Sequence, residues 1–419
     1  MYTMSHMGDN GIPLAADLFC GCGGISAGLR DAGFRVIAGA DIESHYICTF
    51  HHNFPDAQAI TEDLSRLSPT EIMKRLKIEP GQLDILTGGP PCQGFSKNVP
   101  RKQRFLDLPN NLLVLTFIEY VEKLQPKLVL MENVAEMKNG FEQSYTQEIL
   151  TRLGEDGYRV SYQVLNAADY GVPQRRRRAF FIARKAKSPL YFPAPTHVKP
   201  SDGVPSTPGL LPGLEVCQHV TVWDAIGDLP SVSHDDRRKT FSYSCEPFSE
   251  YQRDMRRGCM VVSNHTPRPL AATQYDRLAN LRPGQGLKDL PCHLRPKSGY
   301  SGAYGRLTKE MVAPTITRWV FHPGSGRFGH PEDTRVITIR EAARLQGFAD
   351  DFEFTGTYTQ QAGQVGNAVP PLLVQKIVTA MLRQTNQAGG SGLSEAASKS
   401  MNPSNVNRCD SEGRRNVMV

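Results

Sequence analysis

The opening of this chain constrains its fold more than any other stretch. An apolar run from Ile12 to Phe19 is followed by Gly21, Gly23 and Gly24, and then by helix-like spacing from Ile25 to Ala32. A strand, a glycine turn and a helix in that order begin a nucleotide-type α/β fold. The dinucleotide pattern G-x-G-x-x-G fails because Ser26 stands in place of its third glycine. Taken alone, the turn fits a ligand site and a plain tight turn equally. A second strand candidate, Arg35 to Ala40, tips that balance because it ends in Asp41. An acid about 20 residues after such glycines is placed to accept hydrogen bonds from a ribose diol.

A helix candidate follows over Ser44 to Asn53, and Asp63 then closes another short segment. Asp63 reads either as a second ligand contact or as the N-cap of a helix over Pro69 to Leu76. The apolar run Leu83 to Thr87 leads into Gly88-Gly89-Pro90-Pro91-Cys92-Gln93-Gly94-Phe95-Ser96. Two glycines let the backbone pass close to a ligand, two prolines stiffen it, and one thiol is held at the end of the strand. Cys92 is therefore either an activated nucleophile or a buried, inert cysteine, depending on what converges there. The next segment, Ser96 to Asn111, is polar and carries Lys97, Arg101, Lys102 and Arg104. It reads as a long lid or binding loop, or as a solvated charge run.

Helical spacing resumes over Leu112 to Lys123, and Lys127 to Met131 reads as a buried strand with Glu132 just past its end. In open α/β sheets the ligand crevice lies outside the carboxyl ends of the strands, so Cys92 and Glu132 are expected to share a pocket. Arg159 to Asn166 and Ala179 to Arg184 alternate like paired strands, joined by a segment ending in Arg175-Arg176-Arg177-Arg178. Four arginines form a solvated face, a nucleic-acid patch, or forked donors for a carboxylate or a pyrimidine carbonyl.

Past Lys187 the composition changes to frequent proline, which marks a domain boundary. The region to Pro331 has short elements, many arginines and interleaved Tyr300, Tyr304, Trp319 and Phe321, a plausible grip for a phosphate backbone. Regular structure returns at Thr338 to Gln346 and Leu372 to Leu382. The expected boundaries divide the chain into residues 12–187, 188–331 and 332–384, with 385–419 as a disordered polar tail. Lys and Arg number 48 against 42 Asp and Glu, a net charge of +6 that hints at a polyanionic partner. No run approaches the roughly 20 apolar residues of a membrane span. Met1 to Pro13 lack a signal-peptide core, and the nine cysteines are unevenly spaced, so a cytoplasmic, disulfide-free protein is expected. Cys20 and Cys22 have no partner pair for zinc, and no metal is expected.

Six motifs, in order, resemble the C5-cytosine DNA methyltransferases. They are Asp17 to Gly24, Pro90 to Ser96, Glu132-Asn133-Val134, Gln174 to Arg178, Arg340 to Phe348, and Gly366-Asn367-Ala368-Val369-Pro370. The resemblance implies a Rossmann-like S-adenosylmethionine-dependent methyltransferase fold with a smaller, loop-rich target-recognition domain. It implies that Phe19, Gly21, Cys22, Gly23, Gly24, Asp41, Ile42, Asp63, Leu64, Gly89, Pro91, Leu112, Asn367, Ala368 and Val369 hold S-adenosylmethionine. Cys92 would be the nucleophile, Glu132 would meet the N3 side of cytosine, and Arg176 with Arg178 would hold its O2 side. Gln93, Ser96, Lys97, Arg101 and Arg104 would touch double-stranded DNA. The resemblance departs at Pro109, which stands where relatives carry an arginine. The expected enzyme is a monomer on nucleoid DNA, protecting it alongside an independent restriction endonuclease. A transfer RNA methyltransferase of the same fold and an idle DNA-binding scaffold are the alternatives.

Overall fold

The computed structural model describes residues 11–91, 109–135, 144–186, 188–199, 216–297, 299 and 302–389, without the side chains of 109–112, 144–145 and 386–389. Seven strands form the central sheet: β1 (Leu14–Leu18), β2 (Arg35–Asp41), β3 (Gln58–Thr61), β4 (Ile85–Gly88), β5 (Leu128–Val134), β6 (Arg159–Asn166) and β7 (Arg177–Arg184). Their order is β3-β2-β1-β4-β5-β7-β6. The first five run parallel in the doubly wound order, and β7 lies antiparallel between β5 and β6. The chain reverses its direction of winding between β1 and β4, and that switch point is where such sheets open a crevice.

Side chains alternate along each strand, so the sheet buries apolar residues on both faces. On one face Ala15, Ile85, Leu128 and Leu130 pack with α1 (Gly24–Asp31) and α2 (Ser44–Asn53). On the other, Ala16, Leu18, Leu86 and Met131 meet α3 (Pro69–Leu76), α4 (Pro109–Leu124) and α5 (Ser144–Glu155). Each fully buried leucine, isoleucine or methionine among these contributes about 1.5–3 kcal/mol. The sequence reading did not include α5.

Several elements differ from expectation for local reasons. Helix α4 begins at Pro109, three residues before the expected Leu112, because the missing N–H and fixed φ of proline suit a first turn. The α3 helix is capped by Ser68, whose hydroxyl accepts from the Glu71 N–H, so Asp63 is not its cap. Glu132 lies within β5 rather than beyond it, since pairing with β4 stops at Met131 while pairing with β7 continues to Val134.

The region after β7 supplies short elements, α6 (Val222–Ile226), α7 (Glu250–Arg256) and α8 (Ala272–Ala279). Val222, Ile226, Tyr251 and Val262 share one core with Ala342, Leu345 and Phe348 of the return segment. A separate small cluster forms around Leu281, Leu290, Ala303 and Tyr304. The chain then returns through α9 (Ile339–Gln346), α10 (Tyr358–Asn367) and α11 (Pro371–Gly389). Helix α11 runs five residues past the expected end of order at 384. It lies against α1 so closely that a Cβ on Gly28 would stand 2.5 Å from the Pro371 carbonyl oxygen. Tyr358–Thr385 matches a membrane span in length and hydropathy. However, extended backbone at Ala368 breaks it, and Leu373, Val374, Ile377, Val378 and Met381 are buried in the core.

Candidate active site

A cavity of about 1080 Å³ opens at the switch point. The turns after β1, β2, β3 and β4, the end of β5, Arg176 and Arg178, α10 and Arg318-Trp319 all line it. At the β1 end the site is largely backbone held in place by carboxylates. Phe19 takes a left-handed conformation at φ 55°, unusual for a large side chain, and Gly21 follows at φ 54°. The Gly21 N–H donates to Asp41 Oδ2 at 2.9 Å, and the Glu43 N–H donates to Asp41 Oδ1 at 3.0 Å. Asp41 therefore pins the glycine turn to the end of β2, and burial pushes its carboxyl above the usual carboxylate range. Beside it Ile42 is 62 % exposed, a large apolar side chain open to the cavity.

The three glycines divide by role. Gly21 faces open space. A Cβ on Gly24 would stand 2.6 Å from the Val369 carbonyl oxygen, so this glycine permits the return segment to close on the turn. Gly23, expected in the cradle, is absent from the cavity lining, and a Cβ there would meet the Phe54 ring at 2.9 Å. The thiols of Cys20 and Cys22 are buried and held protonated, Cys22 pushed up to about 12 chiefly by desolvation. Deeper still, Asp17 accepts from Ser26 Oγ at 2.6 Å and from Thr87 Oγ1 at 2.9 Å. Ser26 thus occupies the third glycine's place to tie the helix to β1. Asp63 and Leu64 also line the cavity, with Asp63 accepting from the Ser65 N–H and hydroxyl.

At the β5 end the site is made of side chains. Glu132 pairs with Arg178 through Oε1 and Nε at 2.9 Å, and its side chain is 12 % exposed. Burial raises the Glu132 pKa, while Arg178 and Arg176 oppose the rise. Arg176 is 2 % exposed and donates to the Ile316 and Gly366 carbonyls at 3.1 Å each. Its Nε is a buried donor with no partner among the described residues. Burial, then Arg178, lower its pKa, and Glu132 raises it. The four arginines are therefore neither one solvated face nor one patch: Arg175 and Arg177 are exposed, while Arg176 and Arg178 line the cavity. The Asn133 amide donates to the Pro90 carbonyl at 3.1 Å, fixing the chain that leads through Pro91 to Cys92. Cys92, Gln93, Ser96, Lys97, Arg101, Arg104 and the Leu112 side chain lie outside the described residues.

The model of the C-5 cytosine-specific DNA methylases matches residues 15–383. The chain belongs to that family. It is 35% identical over 375 residues to Type II methyltransferase M1.HphI of Haemophilus parahaemolyticus, covering 88% of this chain and 87% of the relative. It is 32% identical over 416 residues to Type II methyltransferase M.AgeI of Thalassovita gelatinovora, covering 85% of this chain and 96% of that one. A solved DNA modification methyltransferase encoded within an E. coli prophage superposes with a TM-score of 0.70 at 28% identity, over 89% of this chain and 99% of the other. The enzyme is thus a DNA (cytosine-5)-methyltransferase with a Rossmann-like fold, and that class uses S-adenosylmethionine.

Sequence reasoning missed parts of this methyltransferase's site. Helix α10 brings Thr359, Gln360, Gly363 and Gln364 to the cavity, and its glycines and glutamines gave no clear apolar period. Arg318 and Trp319 arrive from the middle region because Gln174 and Arg176 hold the preceding segment. Gln174 Oε1 accepts from the Ile316 N–H at 2.8 Å. Many middle-region arginines prove structural: Arg256 pairs with Asp228, Arg257 with Asp31, and Arg306 donates to five carbonyls. Arg340 and Arg344, one turn apart on α9, are fully buried, with Arg344 between Asp228 and Asp350. Among the described residues no group of three or more His, Cys, Asp or Glu is arranged around a metal position.

Proposed function

We propose that the chain methylates C5 of a cytosine flipped out of a short, specific duplex sequence, with Cys92 as the nucleophile. The observation that carries this reading is the Glu132–Arg178 pair at the cavity, beside the Gly89-Pro90-Pro91 segment that runs directly into Cys92. C5 of cytosine is a weak nucleophile, so the Cys92 thiolate adds to C6 and makes an enamine. Glu132 holds N3 and the exocyclic amine and assists protonation at N3, stabilising the charge that develops. Arg176, which lines the cavity with Arg178, would meet the O2 side of the base. Once C5 has taken up a methyl group, loss of its proton to a base re-forms the C5–C6 double bond, breaks the C6–S bond and releases the Cys92 thiolate.

Phe19, Gly21, Asp41, Ile42, Asp63, Leu64 and Asn367 to Val369 would hold S-adenosylmethionine, with Gly89 and Pro91 at its reacting end. The fit rests on an open apolar face at Ile42 beside a carboxylate-braced glycine turn. When bound, S-adenosylmethionine supplies the electrophilic methyl group that the activated C5 takes up. Flipping costs a few kcal/mol, offset by pocket contacts. Residues 188–331 carry target recognition, with Gln93, Ser96, Lys97, Arg101 and Arg104 on the DNA. The names of the relatives support a protective role in a restriction-modification system, and action as a monomer on nucleoid DNA belongs to the proposal alone. Methyl transfer to a duplex DNA pool and to a transfer RNA pool tests the reading. Label in DNA is expected; label in RNA alone would overturn it.

A further inference from the structure

Among the described residues, every charged side chain lining the cavity has a protein partner except one. Asp41 accepts two backbone N–H groups, Glu132 pairs with Arg178, and Arg176 donates to two carbonyls. Glu62 pairs with Arg75, Glu43 with His45, and Asp63 with Ser65 and Arg66. Arg318 is exposed at the cavity, and among the described residues its guanidinium meets only the Trp319 ring, 5.2 Å from the centroid. The backbone delivers it to a definite place. A Cβ on Gly366 would stand 2.3 Å from the Arg318 nitrogen, so Arg318 lies on the end of α10 next to Asn367. There the Asn367 amide donates to the Tyr46 hydroxyl at 2.7 Å. The positive field of Arg318 reaches that hydroxyl. The Tyr46 hydroxyl also feels Asp41, and the Gly366 carbonyl accepts from Arg176, so this third corner lies between the Asp41 end of the cavity and the Glu132 end.

We infer that Arg318 is a positioning residue that binds the carboxylate of the amino-acid end of S-adenosylmethionine. The inference rests on the proposed function, which puts the adenosine end at Ile42 and the reacting end toward Glu132. The ligand's one anionic group is then left for the third corner, where the free cation stands. Arginine suits it because its forked donors match a carboxylate. The residue reaches the cofactor from the middle region of the chain, outside the sequence motifs of the nucleotide half.

Calorimetric titration of the full chain, Arg318→Gln and Arg318→Lys tests this with two probes. S-adenosylhomocysteine carries the carboxylate, and 5′-methylthioadenosine lacks the whole amino-acid end. Arg318→Gln is expected to weaken S-adenosylhomocysteine about tenfold, the loss of one charge-assisted hydrogen bond, with 5′-methylthioadenosine unchanged. Arg318→Lys should restore part of that loss. Equal loss for both probes, or loss for neither, would overturn the inference. So would a loss confined to duplex DNA affinity, which would make Arg318 a phosphate contact. Failure of the intact chain to bind either probe would instead overturn the proposed cofactor site itself.

Discussion

The two sides of the switch point solve one problem, a carboxylate buried at the end of a parallel strand, in opposite ways. On the β1 side Asp17 is fully buried and faced by two hydroxyls, and desolvation pushes its carboxyl up to about 6. Among the described residues no cation pairs with it, and its hydrogen bonds join β1, α1 and β4. On the β5 side Glu132 has arginines beside it and faces the cavity. Burial without a counter-charge leaves a structural group whose ionisation is costly. Burial beside Arg178 and Arg176 also raises the Glu132 pKa, but there the arginines oppose the rise. The β1 side shapes its surface from backbone and the β5 side from side chains, the division on which the proposed binding and chemistry rest.

If that division is right, Glu132→Gln should slow methyl transfer by about 10²–10⁴-fold while S-adenosylhomocysteine affinity is unchanged. Single-turnover rates beside calorimetric titration measure both, and a normal rate would break the comparison at its strongest point. Asp17→Asn sharpens the other side through pH. The Asp17 pKa is higher folded than unfolded, rising from 3.8 to about 6, so folding takes up a proton in that window. Its cost is absent below about pH 4, grows as pH rises, and reaches on the order of 3 kcal/mol above about pH 6. Urea unfolding across pH 4 to 7 should show that downward slope in the intact chain and lose it in Asp17→Asn. Equal slopes would mean that Asp17 titrates normally. The smallest effect separates two glycines. Gly24→Ala drives a methyl against the Val369 carbonyl and should cost about 1–3 kcal/mol. Gly89→Ala meets Glu132 Oε2 at 3.5 Å, an ordinary contact, and should stay within about 0.5 kcal/mol. Urea midpoints distinguish them, and equal losses would erase the contrast.

What could be read in advance follows the same division. The glycine turn, Asp41 and the strand pattern lie close together in sequence, and local chemistry dictates them. Glu132 was legible as a site residue, but its place inside β5 depends on β7, a partner 45 or more residues away. Arg176 and Arg178 share a face only because they alternate along the entry to a strand. The run of four arginines carries no mark of which two turn inward. Arg318 and helix α10 are beyond local reading, since tertiary contacts through Gln174, Arg176 and Gly366 bring them to the cavity. The arginines of α9 carry no mark of burial in the sequence, yet Asp228 and Asp350 neutralise Arg344 within the core.

The most direct test of the account is bisulfite sequencing of DNA from a methylation-free host expressing this chain, beside the same host carrying Cys92→Ser. The account predicts one short motif methylated at C5 with the intact protein and none with the variant. The same motif methylated by both would contradict Cys92 as nucleophile, and an unmethylated genome with folded, cofactor-binding protein would contradict the activity itself.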